Sequence, residues 1–456
     1  MICFPPVECL REGKMSLFGS LSTGVMALNA QSQAMTTISN NIANTQTTGY
    51  KRSTVAFSNL VTGLSTESVL LPGGVRGTEV SEITKQGLLE QTGADTDLGI
   101  LGRGFFIVSD RQATDQSFPV YTRAGQFRED EDGILVNSQG FTLYGWRLDA
   151  DGNIPNNFDD LNILEPIDTN LIPGFAAPTS SISGAINFNA GQVVDPTVNI
   201  PHFSRIITVY DSFGTSHTAN LVVTKAAAPA INEWYVDVTR ADGTSLITGN
   251  PVDYSTTPPD ATNSATLTFD AQGNLATIAP PGGAADPLLS TLTLDAGAGG
   301  IDWGNGSDTS QTITFDVSRF TQLNAPYLTT EVTQNGAAFG ERQTIDIMAD
   351  GTVNVVFTNG EIVPLYKIPL ADFPNSDQLT ISSQNVFRPN SATGEPLIRE
   401  PQTSSAGQIF QKSLERANVD IAQEFSALIV TQRAYSAGTK VINTTDQMLQ
   451  ELMQIR

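Results

Sequence analysis

Ile421-Ala-Gln-Glu-Phe-Ser-Ala-Leu428, followed by Gln432-Arg-Ala-Tyr435, Val441-Ile442 and Asp446-Gln-Met-Leu449, is the stretch on which the fold turns. Ile421, Phe425, Leu428, Tyr435, Ile442, Leu449 and Met453 follow steps of four and three, with Gln432, Thr439 and Asp446 in the missing positions. That is a heptad stripe, and it predicts an amphipathic helix from about Lys412 to Ile455. At 1.5 Å per residue such a helix is roughly 65 Å long. A domain of about 100 residues has a radius of gyration of only roughly 13 Å, so the helix cannot lie within one globular core. It must pair with another long helix, from its own chain or from a neighbour.

The other end of the chain offers a partner. No proline occurs from Ser16 to Thr45, and Leu21, Val25, Leu28, Met35 and Ile42 repeat the same spacing, with Ser32 and Ser39 filling the gaps. The Asn, Ser and Thr residues between Asn40 and Thr48 compete with helical hydrogen bonds through their side chains and end this helix, and Gly49 supplies conformational freedom after it. Between the two ends the helical period vanishes. Runs such as Gly104–Val108, Arg205–Tyr210, Trp234–Val238, Ala265–Phe269, Thr312–Phe315 and Val353–Phe357 read as strands. Asp132-Gly133, Asp151-Gly152, Asp242-Gly243, Asp350-Gly351 and Asn359-Gly360 read as hairpin turns of type I′. The fold class is therefore α+β and multidomain, with helical ends enclosing nested all-β domains.

Composition narrows the chemistry. The 456 residues carry a net charge of −23, which repels phosphate backbones and argues against nucleic acid as a partner. No run of about 18 apolar residues is present to insert into a membrane as a helix. Both cysteines, Cys3 and Cys9, precede Met15, so neither disulfides nor a thiolate metal site is available to the rest of the chain. Only His202 and His217 could supply imidazole, and no catalytic constellation, metal site or cofactor site stands out. Asp149-Ala-Asp-Gly-Asn153 opens like a calcium loop, but that loop needs Gly and Glu where Ile154 and Asp160 stand. Residues 1–14 lack the apolar core of a secretory signal and read as a disordered extension ahead of Met15.

Motifs at the two ends, in order, resemble one family. Ser39-Asn-Asn-Ile-Ala-Asn44 with Thr48-Gly-Tyr-Lys51 resembles the N-terminal signature of bacterial flagellar rod and hook axial proteins, carried here by Asn40, Asn41, Asn44, Gly49 and Tyr50. Ala417-Asn-Val-Asp-Ile421, Glu424-Phe425, Gln432-Arg-Ala-Tyr435 and Asp446-Gln-Met-Leu449 resemble the C-terminal signature. Leu101–Phe106, Tyr121–Gly125 and Asp132–Leu135 are similar to the family's inner β-domain. Val209–His217 and Thr268–Leu275 are similar to hook outer domains, and so large a central insertion favours a hook subunit over a rod subunit.

The resemblance implies an axial domain of residues 15–48 and 410–456, whose helices form a coiled coil. It further implies a connector of 49–90 and 386–409, an inner β-domain of 91–148 and 312–385, and an outer β-domain of 149–311. It implies a non-enzymatic subunit that polymerises with its own copies into a flexible tube. Such a subunit meets the distal rod, the hook cap and the hook-filament junction proteins, and leaves the cell through the flagellar type III export apparatus without a cleaved signal. Phe57 and Val61 resemble the Phe-x-x-x-hydrophobic element of early export substrates, and packing of the connector explains the pair equally well. A rod subunit, a secreted adhesin-like surface protein and a carbohydrate-active enzyme are the alternatives.

Overall fold

A computed structural model describes residues 17–61, 72–110, 119–149, 152–194, 201–227, 232–248, 264–296, 299–403 and 406–454. The extension of residues 1–14 lies outside the described residues. The chain divides into two compact units, one made of the residues up to Leu171 with Ile345–Val355 and Val363–Arg456, the other of Ile172–Thr344 with Val356–Ile362.

The first unit holds both helices, α1 (Leu17–Ala43) and α2 (Ile421–Gln454). The second helix begins nine residues later than the heptad pattern suggests, and its 34 residues span about 50 Å. The reason is local. Gln408–Gln411 and Ser413–Glu415 pair as strands with Leu98–Leu101 and Leu89–Gln91, and Asp420 then caps the helix, its carboxylate accepting from Ala422 N at 2.8 Å and Gln423 N at 3.2 Å. Residues 410–415 thus belong to the β-structure rather than to the helical pair. Val386–Arg388, expected in the connector, likewise pairs with Val120–Thr122 in the main sheet of this unit.

An antiparallel hairpin, β1 (Ser53–Val61) and β2 (Pro72–Ser81), lies along α1. In the same unit, Phe105–Asp110 pairs with Val120–Thr122 and with Phe141–Arg147. Phe105 and Tyr121 meet Phe373 edge-on at 6.0 and 4.9 Å, and fully buried Trp146 donates its indole N–H to Phe158 O at 3.2 Å.

The second unit packs two five-stranded sheets around one core that includes Phe188, Trp234, Phe315 and Phe320. Its main segment, 172–344, begins and ends later than the expected 149–311: Glu165–Pro166 pairs with Phe141–Arg147 in the first unit, whereas Ile313–Asp316 and Thr321–Leu323 pair with Ser181–Asn189 in one of these sheets.

All six alternating runs are strands. Of the five expected turn pairs, Asp151-Gly152 includes Asp151, which lies outside the described residues, and the other four differ in type from the expectation. In Asp132-Gly133, Asp242-Gly243, Asp350-Gly351 and Asn359-Gly360 only the glycine has positive φ. Each of these glycines donates its N–H to the carbonyl three residues back, at 2.9–3.1 Å. These are type I turns closed by a glycine bulge, a longer loop in which the Asp or Asn keeps an ordinary right-handed conformation.

Candidate functional site: the polar junction between the chain ends

The two helices run antiparallel with a close seam. A Cβ on Gly24 would lie 3.1 Å from Ile442 Cγ1, and one on Gly438 would lie 3.1 Å from Leu28 Cδ2. Each large side chain thus sits over the other helix's glycine. Thr431 and Thr445 are buried on the seam, and their hydroxyls donate to Ala427 O and Val441 O one turn back, at 2.9 and 2.8 Å. The expected stripe splits. Leu21, Leu28, Met35, Ile42, Leu428, Ile442 and Leu449 are half-buried, whereas Val25, Ile421, Phe425, Tyr435 and Met453 are exposed. The residues of α1 that are fully enclosed are smaller: Gly24, Ala30, Ala34, Thr37 and Asn41. Large apolar residues carry the heptad pattern, but a helix held on two sides needs small ones where its neighbours come closest. Gly77 of the hairpin shows the second side, since a Cβ there would lie 3.7 Å from Ala30 Cα.

At the base of the seam the family-type motif becomes a buried polar node. Asn41 Oδ1 accepts from Ser53 N and from the Tyr50 hydroxyl, both at 3.1 Å. Its amide donates to Ser53 O at 2.7 Å and to Glu424 Oε2 at 3.2 Å. Both lone-pair positions and both N–H groups are used, which only an amide can do. Aspartate could not donate and would set a second carboxylate against Glu424. Glu424, with a fully buried side chain, takes Arg52 Nε at 2.5 Å on its other oxygen. Burial, together with the carboxylates of Glu79 and Glu424, pushes the Tyr50 phenol above its usual range, so it remains a donor. Asn40 is exposed, and its carbonyl accepts from Asn44 Nδ2 at 2.9 Å in the helix's last turn.

A second node holds the connector to the sheet. Glu415 accepts from Lys51 Nζ at 2.7 Å, Gly87 N at 2.8 Å and Arg123 Nη1 at 3.1 Å, and its side chain and those of both cations are nearly inaccessible. Burial alone would raise the Glu415 carboxyl, but Arg123 and Lys51 outweigh it and hold it below its ordinary value. Burial lowers Lys51 to about 8, with Arg123 adding to the effect and Glu415 opposing it, so the amine stays largely protonated at neutral pH. Gly49 makes the corner possible. Its φ is +70°, and a Cβ there would lie 2.7 Å from Ala124 N, while its N–H donates to Glu415 O at 2.8 Å. Asn418 ties the nodes together, accepting from Arg52 N at 2.6 Å and donating to Glu82 O and Lys85 O at 3.1 and 3.0 Å.

Phe57 lies on β1, 49% exposed, and Val61 ends the same strand after a register shift at Leu60. The pair therefore occupies extended backbone rather than a helical turn. Lys51, Arg123, Asn418 and Glu424 stand within the family-like motifs but carried no individual role in the sequence reading, and Arg52 and Glu415 lay outside those motifs. The available signal was an acid, Glu424, beside the apolar stripe, and two successive cations, Lys51 and Arg52, directly after the helix-ending motif.

Among the described residues no group of three or more His, Cys, Asp or Glu side chains is placed to hold a metal ion, and no helix is long and apolar enough to cross a membrane, which says nothing of strands. The site is a buried polar junction that binds both helices to one β-structure, with Arg123 Nε the atom of the two nodes left without a partner.

Family models match in the same order along the chain. They are the flagella basal body rod protein model over residues 21–51, the flagellar hook protein FlgE/F/G D1 domain over 99–165, the flagellar basal body protein FlaE D2 domain over 195–337, and the flagellar basal body rod FlgEFG protein C-terminal model over 411–455. The chain is 33% identical over 446 residues to the flagellar hook protein FlgE of Rhizobium meliloti, covering 97% of this chain and all of that protein. It is 31% identical to the FlgE of Brucella melitensis, with coverage of 97% and 100%, and 30% identical to that of Salmonella typhimurium, with coverage of 96% and 100%. The chain belongs to the flagellar hook protein family and is a structural subunit of the bacterial flagellar hook.

Proposed function

We propose that the α1–α2 pair is the axial element of this subunit and packs as a coiled coil against the same pair in neighbouring copies, forming the wall of a hollow tube. The observation that carries the reading is the outward surface of the pair. All 27 residues of α1 are uncharged. On α2, Ile421, Phe425, Ile429, Val430, Val441 and Met448 are exposed, Val430 at 66% and Met448 at 57%. A lone chain gains nothing from showing so much apolar helix to water, and neighbours would bury it at about 25 cal/mol per Å2. The buried nodes would carry load from the helices into the β-units, so that the tube transmits torque while passing exported subunits. On this reading the protein is not an enzyme and lies outside the cell, exported without a cleaved signal peptide. Its copies meet the distal rod, the hook cap and the hook-filament junction proteins. Electron microscopy of the purified full chain is expected to show short curved hollow tubes. Monodisperse particles at all concentrations and salts would overturn the reading.

The same proposal makes Phe57 and Val61 an export element. Phe57 is exposed enough that its loss should change stability by no more than about 0.5 kcal/mol. The Phe57→Ala, Val61→Ala double variant is therefore expected to be secreted several-fold less while the purified protein still polymerises. Undiminished secretion in a strain that cannot assemble hooks would remove this role.

A further inference from the structure

Strand Glu233–Arg240 of the second unit alternates at its centre. Trp234, Val236 and Val238 enter the core with no exposure, so Asp237 points to the opposite face of the sheet, where it is only 3% exposed. Its Oδ1 accepts from Ser245 Oγ at 2.6 Å and from Val238 N at 2.7 Å. Its Oδ2 is buried without a partner. Because Val236 pairs with Ala265, the next residue outward on the neighbouring strand is Ser264, whose Oγ is also buried without a partner.

The surroundings offer no compensating charge among the described residues. Asn220, Val222 and Thr224 share this face on strand Ser216–Lys225, and Thr266 follows Ser264 on the other side. Glu233 and Tyr235 are the titratable residues that share this face on the strand itself, and neither brings a positive charge. In the turn that follows, Asp242 is exposed and accepts from Thr244 N at 2.9 Å. The Arg240 guanidinium lies over the Trp303 ring, 5.3 Å from its centroid.

We propose that Asp237 is a protonation-dependent latch in the second unit. As the acid, protonated on Oδ2, it is neutral and keeps the bonds that Oδ1 accepts from Ser245 and Val238. As the anion, it leaves a charge without a cation in a dry site and weakens the unit. Burial, opposed by the bonds from Ser245 and Val238, pushes the carboxyl up to about 6. In the unfolded chain an aspartate titrates near 4. Between these values the folded unit holds more protons than the unfolded one, so stability falls as pH rises, and above about 6 the loss is complete. The consequence rests on the hook-subunit reading: a chain that must be unfolded for export meets a near-neutral cytoplasm with this unit in its weakened form.

The test uses the full chain and Asp237→Asn, with unfolding of the second unit followed by hydrogen exchange across residues 233–240. From about pH 4 to about pH 8 the unfolding constant of the wild type should rise by roughly a hundredfold more than that of the variant. Parallel pH curves for the two proteins would overturn the latch, as would a variant weaker than wild type at about pH 8. If the variant fails to fold, the carbon-13 titration of the wild-type Asp237 carboxyl decides: a midpoint near 6 supports the latch and one near 4 overturns it. None of these readouts depends on tube formation, so failure here is separate from failure of the hook-subunit reading.

Discussion

Glu415→Ala is expected to cost the unit that carries both helices about 3–5 kcal/mol, enough to unfold much of it under mild denaturant. The substitution leaves Lys51 and Arg123 as two cations, nearly inaccessible to water, around a missing anion. It also removes the acceptor for Gly87 N. Breaking a buried pair from one side is far more damaging than replacing all its members with apolar groups. Accordingly, Lys51→Met and Arg123→Met added to Glu415→Ala should recover part of the loss. Urea unfolding with hydrogen exchange around Trp146 measures the effect, since Trp146 lies in this unit while Trp234 and Trp303 lie in the other. A loss below about 1 kcal/mol would show that the site relaxes to water and that the node does not hold the ends together.

Wild-type pH dependence supplies an independent check. The folded carboxyl of Glu415 titrates below its ordinary 4.5. A depressed acid binds fewer protons when folded than when unfolded, so its stabilisation is complete above 4.5 and is lost as pH falls below that value. The Glu415→Ala variant should lack this component of acid unfolding.

How much of this was legible in the sequence depends on how far each signal reaches. Hydrophobic period is local, and it located both helices and every quoted strand. The start of α2 was missed because Phe410 and Leu414 continue an apolar pattern compatible with either strand or helix, and only pairing with Leu98–Leu101 and Leu89–Gln91 decides between them. The turn pairs marked the hairpins, but loop length and bulge depend on strand register, which Asp-Gly alone does not specify. The motif Asn40-Asn41 was visible as a helix end. The role of Asn41 was not, because its partners lie at Tyr50, Ser53 and Glu424, the last 383 residues away. The contacts of Gly24 with Ile442 and of Gly438 with Leu28 across the seam are equally non-local, since a glycine in a helix looks like a weakness until something large is found over it.

That contact leads to the largest effect expected on assembly. Ile442→Asp places a carboxylate against Gly24 on a helix with no charged side chain among its 27 residues, so no cation of α1 can meet it. Arg433 and Lys440 on α2 are exposed and stand nine and two residues away, where neither shares the helix face of position 442. The aspartate also forfeits the apolar contact that Ile442 makes, so the seam loses packing and gains an unpaired charge, together about 3 kcal/mol or more. If the pair forms the tube wall, the variant should not polymerise at concentrations where wild type does. Sedimentation and electron microscopy measure that outcome. Hydrogen exchange should show faster exchange in 421–454 and 17–43, with the strands around Phe105 and Trp146 still protected. Gly438→Val, which crowds Leu28 from the other side of the seam, should weaken assembly in the same direction with less damage. Normal tubes from Ile442→Asp would sink the seam assignment. Loss of protection at Phe105 and Trp146 would show instead that the helical pair is part of the folding core and not a separable axial element.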